Sequence, residues 1–172
     1  MNEKNRYESP SEDTGKPESH PKETRPEFVS LSSRRPARIH LLDDEPFVRE
    51  AMELILQFHF KDFVAVHSAD GDRAWREISR CLPDLLITDY RHPGMQVEEL
   101  MHRLYRRPVK FPILVASAQA CAIPGLKERL QSFPGFTVEF LEKPFLAADL
   151  KAQVLKCFNS VSASAPEQEP ES

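Results

Sequence analysis

The feature that most constrains the fold of this chain is a regular alternation of short apolar runs with segments of helical spacing. Five runs rich in Val, Ile, Leu or Phe have the length and composition of buried strands. They are residues 39–42, 63–66, 85–88, 113–116 and 138–141. Strands that alternate with helices predict a parallel sheet covered on both faces, because crossover connections are right-handed. The sequence therefore predicts an α/β fold, a doubly wound five-stranded sheet built from five βα units.

The apolar residues between these runs follow the period of an amphipathic helix. In the first segment they are Phe47, Ala51, Leu54, Ile55 and Phe58, which predicts that this face of the helix packs on the sheet. Three later segments carry similar faces: Ala74, Ile78, Cys81 and Leu82; Val97, Leu100, Met101 and Leu104; Leu150, Val154, Cys157 and Phe158. The segment 123–133 is a weaker helix, because Pro124 and Gly125 stand at its start.

Both ends of the chain differ in composition from its middle. Residues 1–36 hold seven acids, seven bases and five prolines, with few large apolar residues. Such a segment buries too little surface to offset the entropy of ordering it, so we expect it to be disordered. Residues 160–172 hold three glutamates and no basic residue, which predicts a disordered acidic tail. The folded domain is therefore expected to span 37–159.

Charge, apolar content and cysteines exclude several classes of protein. A net charge of −4 gives no basic field for a nucleic-acid backbone, so no direct nucleic-acid partner is expected. No apolar stretch suits a signal peptide or a membrane span, which predicts a cytoplasmic protein without membrane contact. The three cysteines, Cys81, Cys121 and Cys157, have apolar neighbours and are expected to be buried thiols.

Polar side chains follow the ends of four predicted strands, at the edge where ligands of open parallel sheets bind. They are Asp43, Asp44 and Glu45 after the first strand, Asp89 after the third, Ser117 after the fourth and Lys143 after the fifth. Carboxylates about 4 Å apart repel by roughly 4 kcal/mol at an effective dielectric near 20, so such a cluster needs a cation. Oxygen ligands of this kind suit Mg²⁺. Lys143 offers a second positive charge, and Ser117 a donor, for an anion carried by Asp89.

Each of these residues also has an ordinary explanation. Asp43 and Asp44 could cap the following helix, with Pro46 just inside it. Asp89 could be a turn residue and Lys143 a solvated side chain. Their joint occurrence at strand ends is what favours a functional site.

Four segments resemble the receiver domain of two-component response regulators. They are RIHLLDDEP at 38–46, PDLLITDYRHPG at 83–94, PILVASA at 112–118 and EKPF at 142–145. The resemblance covers the whole predicted domain and implies a flavodoxin-like sheet with strand order 2-1-3-4-5. The chain departs from the family at Gln96 and Val97, where Asp-Gly is common, and we expect this to affect the start of the third helix.

The resemblance implies a role for each residue at the site. Asp89 would be the phosphoacceptor, with Mg²⁺ held by Asp89 and Asp44 directly and by Asp43 through water. The backbone carbonyl of Arg91 would be a further metal ligand.

The remaining implied roles concern the phosphoryl group. Ser117 and Lys143 would contact its oxygens, and the Lys143–Pro144 peptide is expected to be cis. Phe140 would be the aromatic switch residue that moves together with Ser117. Arg91 and Gln119 would flank the phosphoryl group and tune its hydrolysis, or Arg91 would point into solvent.

The implied function is that of a single-domain response regulator, which is not an enzyme. It would accept a phosphoryl group on Asp89 from a sensor histidine kinase or a phosphotransfer protein, and signal by contact with a downstream protein. One alternative is an unregulated scaffold with the same fold. An aspartyl phosphatase of the haloacid dehalogenase type would need Asp-x-Asp after the first strand, where Glu45 stands instead. A nucleotide-binding Rossmann module would need a Gly-rich turn after a strand.

Overall fold

The computed structural model of the 172-residue chain describes residues 29–31, 35–107, 111–118 and 123–162. Five parallel strands form the main sheet: β2 (Ala37–Leu42), β4 (Phe63–Ser68), β5 (Leu85–Asp89), β6 (Ile113–Ser117) and β7 (Val138–Glu142). Their order is β4-β2-β5-β6-β7, which confirms the predicted order 2-1-3-4-5. A short strand, β1 (Val29–Ser30), pairs in parallel with β3 (Phe60–Lys61) outside this sheet.

Five helices connect and cover the strands: α1 (Pro46–His59), α2 (Gly71–Arg80), α3 (Val97–Tyr105), α4 (Leu126–Gln131) and α5 (Ala147–Ser162). Apolar residues of α2, α3 and α4 pack on one face of the sheet, while those of α1 and α5 pack on the other. The predicted doubly wound, flavodoxin-like architecture is confirmed. The helix with the weakest sequence pattern, α4, has six residues and begins after Gly125, whose φ is 68°.

The central strands explain why the apolar runs of the sequence do not alternate with polar residues. Leu85, Leu86 and Ile87 of β5 are all 0% exposed, because helices cover both faces of the sheet. The edge strand β4 is less buried, and Val64 is half exposed.

The predicted inner face of α1 is wrong except for Ile55, which packs against the core. The residues that α1 buries are Met52 and Leu56, whereas Phe47, Leu54 and Phe58 are 82%, 65% and 60% exposed. This helix carries two apolar stripes on different sides. Helical period alone does not tell which of the two faces the sheet.

The described residues of the segment 1–36 contact the folded domain. Val29 and Leu31 pack against the core on the α1 and α5 side. The guanidinium of Arg35 donates two hydrogen bonds to the carboxylate of Asp84, at 2.7 and 2.8 Å. At the other end, α5 continues to Ser162, past the expected boundary at 159.

The cysteine prediction holds for one of the two described thiols. Cys157 is buried, and its burial raises the pKa of the thiol to about 12. Cys81 is exposed, because it caps the end of α2 rather than continuing its inner face. Cys121 and the proposed tuning residue Gln119 lie outside the described residues.

His40 of β2 is a buried titratable group in the core. Its side chain is 0% exposed, and Nε2 lies 2.9 Å from the hydroxyl oxygen of Ser68. Burial, followed by the charges of Arg38, His67 and Arg73, lowers the pKa of His40 to about 4. The imidazole is therefore neutral in the folded protein at neutral pH.

This buried imidazole predicts a loss of stability in acid. Below its unfolded pKa of about 6.5, the unfolded chain binds more protons at His40 than the folded chain does, so folding weakens as pH falls toward 4. Between pH 7 and pH 5, the free energy of unfolding should drop by about 2 kcal/mol more in the native protein than in His40→Gln. Urea unfolding at both pH values measures this. His102→Gln, on the exposed side of α3, is the control, and an equal pH dependence in all three proteins would contradict the assignment.

Candidate functional site

The register of the sheet brings the four strand ends to one edge. Leu42 pairs with Thr88, Asp89 with Ala116, and Ser117 with Glu142. The residues that end these strands or directly follow them therefore meet at the carboxyl edge. This is the edge to which the sequence assigned Asp43 and Lys143.

Three carboxylates lie together at this edge. Asp43, Asp44 and Asp89 each offer an oxygen atom, and these oxygens all lie within 4.8 Å of one another. The Asp43 side chain is fully buried, that of Asp89 is 15% exposed, and Asp44 is exposed. Negative charges this close repel one another unless a cation is present. The donor set consists of hard oxygens alone, which fits Mg²⁺.

The ammonium of Lys143 lies between two of these carboxylates. Nζ donates a hydrogen bond to Oδ2 of Asp43 at 2.6 Å and lies 3.5 Å from Oδ2 of Asp89. The backbone N–H of Lys143 donates to the carbonyl of Ser117 at 3.2 Å, and the Lys143–Pro144 peptide is cis. Lys143 is thus held by its backbone and positioned to balance part of the negative charge.

Capping of α1 was the ordinary explanation for Asp43, but the structure shows that Asp43 does not cap this helix. The N-cap residue of α1 is Glu45, and no side chain caps this helix. Instead, Oδ1 of Asp43 accepts a hydrogen bond from the backbone N–H of Glu45 at 2.9 Å, while Oδ2 accepts from Lys143. Both carboxylate oxygens of Asp43 are therefore engaged in orienting the site.

Two residues that the sequence analysis did not single out hold the backbone of the site. The guanidinium of Arg49 donates to the backbone carbonyl of Asp43 from the first turns of α1. The hydroxyl of Thr88, which is fully buried, donates to the carbonyl of Asp89 at 2.7 Å. Neither contact has a signature in the sequence, because both acceptors are main-chain oxygens.

The other predicted residues lie around this cluster. Ser117 is 2% exposed at the end of β6, and Arg91 is exposed in the loop after β5. Phe140 of β7 is half-buried against the core on the α2–α4 side, where the Nζ of Lys127 lies 5.5 Å from the centre of its ring. Phe140 pairs with Val115, two residues before Ser117 along β6.

The loop between β5 and α3 is closed by hydrogen bonds to its main-chain carbonyls. The side-chain amide of Gln96 donates to the carbonyls of His92 and Gly94, at 2.9 and 3.2 Å. From the other side, the N–H of Gly71 donates to the carbonyl of Pro93 at 2.9 Å. Gln96 is also the N-cap residue of α3, so these contacts lie directly at the start of this helix.

Comparison with known proteins identifies the family. The model of the response regulator receiver domain matches residues 39–155, which is most of the chain. The chain therefore belongs to the receiver domain family of response regulators. Receiver domains are phosphoacceptor domains of two-component signalling, and response regulators interact with histidine kinases.

Individual relatives support this membership. The response regulator Rre1 of Synechocystis sp. is 32% identical over 120 residues, which cover 69% of this chain and 50% of Rre1. The sensor histidine kinase TmoS of Ectopseudomonas mendocina is 31% identical over 130 residues, which cover 74% of this chain and 12% of TmoS. This chain thus matches half or less of the length of both relatives.

A solved structure supports the fold. A signal receiver domain from Vibrio parahaemolyticus superposes with a TM-score of 0.67 at 23% identity, covering 79% of this chain and 99% of that domain.

Among the described residues, no helix has both the length and the apolar character needed to cross a bilayer.

The close approach of α2 to the loop between β5 and α3 predicts that Gly71→Ala destabilises the fold. A Cβ atom at this position would lie 1.8 Å from the backbone oxygen of Met95, so helix and loop must separate. We expect a loss of about 2 kcal/mol or more in the free energy of unfolding. Gly125→Ala is the control, since its Cβ would meet only a side-chain nitrogen at 3.8 Å and strain the left-handed backbone by about 1 kcal/mol. Urea unfolding measures both losses. If Gly71→Ala loses no more unfolding free energy than Gly125→Ala, the loop moves away from α2 at little cost, which contradicts the prediction.

The buried ion pair predicts a large effect of Lys143→Met. Without the ammonium, the fully buried carboxylate of Asp43 loses its cation, so the free energy of unfolding in chelator-containing buffer should fall by about 3–5 kcal/mol. The matched control is Lys156→Met. Nζ of Lys156 lies 2.7 Å from Oε2 of Glu139, close to the 2.6 Å between Lys143 and Asp43, but the Lys156 side chain is 61% exposed. That change should cost under about 1 kcal/mol. Similar losses in the two variants would contradict the electrostatic role of Lys143.

Proposed function

We propose that this chain accepts a phosphoryl group on Asp89 from a phosphohistidine of a sensor histidine kinase or a phosphotransfer protein. The observation that carries the proposal is the position of the Lys143 ammonium, 2.6 Å from Asp43 and 3.5 Å from Asp89, beside three clustered carboxylates. The modified chain then signals by contact with a downstream protein. That it acts as a single domain remains a prediction.

Among the three carboxylates, the contacts favour Asp89 as the acceptor. Both oxygens of Asp43 are engaged, and its side chain is fully buried. Asp89 ends the central strand β5 and is 15% exposed, so a phosphodonor can reach it from the carboxyl edge. Buried neighbours on β5 and the bond from Thr88 fix its position.

Magnesium fits the donor set of this edge. Asp44 and Asp89 would bind it directly, Asp43 through water, and the carbonyl of Arg91 would add a fourth oxygen, all of them hard ligands. When bound, the ion supplies positive charge that offsets the repulsion between the acceptor carboxylate and the phosphoryl oxygens.

The transfer step is a displacement at phosphorus. An oxygen of Asp89 forms a bond to phosphorus while the bond from phosphorus to the donor imidazole breaks, and its electron pair leaves with the nitrogen. Lys143 lies within reach of the new phosphoryl oxygens, and Ser117 offers a hydroxyl from the neighbouring strand. The protein contributes position and charge, and the product stays attached to it, so the chain is a substrate of phosphorylation rather than a conventional enzyme.

The switch is proposed to run along β6 and β7. Ser117 and Phe140 lie on these paired strands, and Phe140 is only half-buried, so its ring has room to change position. The negative charge of a phosphoryl group would draw the Ser117 hydroxyl toward Asp89. We propose that Phe140 then moves inward, and that Arg91 and Gln119 tune hydrolysis. The cytoplasmic location expected from the sequence stays a prediction.

The direct test is phosphorylation of purified protein with acetyl phosphate and Mg²⁺. Intact-mass spectrometry should show one added phosphoryl group on the native chain and none on Asp89→Asn, because an amide oxygen is too weak a nucleophile. Asp44→Asn should abolish labelling at ordinary Mg²⁺ concentrations, because it removes a carboxylate proposed to bind the ion directly. Glu128→Gln, an exposed carboxylate on α4, is the matched control and should label normally.

Two outcomes would contradict the proposal. Labelling of Asp89→Asn at another residue would move the acceptor elsewhere. A native chain that is not labelled by acetyl phosphate or by a phosphorylated kinase would favour the unregulated scaffold.

A further inference from the structure

A groove on the outer side of α3 takes no part in the site at the carboxyl edge. It has a volume of about 750 Å³ and is lined by Trp75, Glu99, His102, Arg103, Tyr105 and Arg106. The residues at positions 99, 102, 103 and 106 follow the spacing of one helix face, opposite the face that α3 buries. None of the six lining residues belongs to the carboxylate cluster, so the groove is a separate feature of the surface.

Two guanidinium groups are held against the indole ring beside this groove. The guanidinium carbon of Arg103 lies 5.5 Å from the centre of the Trp75 ring, and that of Arg107 lies 5.9 Å from it. Arg103 also donates a hydrogen bond to Oε1 of Glu99 at 2.8 Å. Arginines restrained in this way lose less side-chain entropy when they bind an anion.

The charge of the groove differs from that of the whole chain. Arg106, the C-cap residue of α3, adds a third guanidinium to those of Arg103 and Arg107, and Glu99 is the one carboxylate among the lining residues. Three positive charges against one negative charge favour an anionic ligand here, although the chain has a net charge of −4.

The same groove offers aromatic surface. The Tyr105 side chain is 49% exposed, and Trp75 is partly buried against the core. The ring of His102 makes an edge-on contact with Phe133, with the ring centres 4.8 Å apart. Nucleobases stack on such rings and on guanidinium planes. A ligand that joins a planar ring to an anion would therefore contact both kinds of group.

We propose that this groove binds a nucleoside phosphate, with the base against Tyr105 and the phosphate between Arg103 and Arg106. Guanidinium groups bind phosphate oxygens through paired N–H donors, so the site does not need the Gly-rich turn of a Rossmann module. The volume of about 750 Å³ lies within the range of small-ligand pockets. This binding goes beyond phosphorylation of Asp89 and does not require it.

The charge of the chain favours a free nucleotide over a nucleic-acid strand. A mononucleotide places its few charges within the groove. A long strand would also meet the surrounding surface of a chain with a net charge of −4, which repels a polyanion.

Tryptophan fluorescence of the full chain tests the proposal, because Trp75 is the single tryptophan of the sequence. The probes are ADP, adenosine, which lacks the phosphates, and pyrophosphate, which lacks the ring. A chelator in the buffer keeps Mg²⁺ at the carboxyl edge from recruiting the phosphates. ADP should change the emission, after correction for its absorbance, with a dissociation constant below about 1 mM. Adenosine and pyrophosphate should each bind at least about tenfold more weakly, since each makes only one of the two kinds of contact.

Variants of the lining residues test the two halves of the site. Arg106→Gln and Tyr105→Ala should each weaken ADP binding about tenfold, because one removes a guanidinium and the other a stacking ring. Tyr105→Phe keeps the ring and should bind ADP within about twofold of the native chain. Arg73→Gln, exposed in the first turn of α2 and outside the groove, is the matched control for the loss of one positive charge and should also bind within about twofold. Circular dichroism of each variant confirms folding.

Five results would overturn the proposal. Pyrophosphate that binds as tightly as ADP would make the groove a simple anion site, and adenosine that does so would leave the phosphate without a role. ADP binding that survives both Arg106→Gln and Tyr105→Ala would place the nucleotide elsewhere. A native chain with neither an emission change nor a calorimetric heat on addition of ADP would show that the arginines only cover the indole.

The fifth result concerns nucleic acid. A short single-stranded RNA that binds more than about tenfold more tightly than ADP would assign the groove to a nucleic-acid strand instead. Labelling of Tyr105→Ala by acetyl phosphate is scored separately, so failure of nucleotide binding is distinct from failure of the phosphorylation proposal.

Discussion

The contact between Lys143 and Asp43 is the interaction on which the site depends. A carboxylate that is fully buried needs a nearby cation, and the cation here comes from a residue 100 positions later in the chain. The two residues follow β2 and β7, so the strands β5 and β6 must lie between them in register before the contact can form. Asp89 and Ser117 end those two intervening strands. The same geometry that neutralises Asp43 therefore also brings Asp89 and its hydroxyl neighbour together.

Much of this arrangement could be predicted from the sequence, because buried parallel strands leave long apolar runs and because their polar ends share one edge. The grouping of Asp43, Asp44, Asp89 and Lys143 at one edge follows from these two facts, whereas the strand order was implied by the resemblance to receiver domains. The orientation of α1 does not follow, since two apolar stripes satisfy the same period. The pairing of Val29–Ser30 with Phe60–Lys61 was also missed, because two apolar residues within a polar segment give too weak a pattern.

The finer structure of the site depends on main-chain atoms, which a sequence pattern does not reveal. Arg49 holds the carbonyl of Asp43, Thr88 that of Asp89, and Gly71 that of Pro93. Gly71 is required for a spatial reason, because its neighbour is the backbone of another segment at contact distance. Gln96 is similar, since its amide closes the loop by donating to the main-chain carbonyls of His92 and Gly94. Such contacts set the precision of the site after the strands have set its position.

The pairing of β1 with β3 places the start of the described domain at the amino edge of the sheet, where α1 ends and where Arg35 contacts Asp84 just before β5. Helix α5 starts near the carboxyl edge and runs antiparallel to the strands, so Ser162 lies toward the amino edge. Both covalent connections to the domain thus leave on the side away from Asp89. A surface, a label or another protein attached at either of these positions therefore leaves the carboxyl edge around Asp89 uncovered.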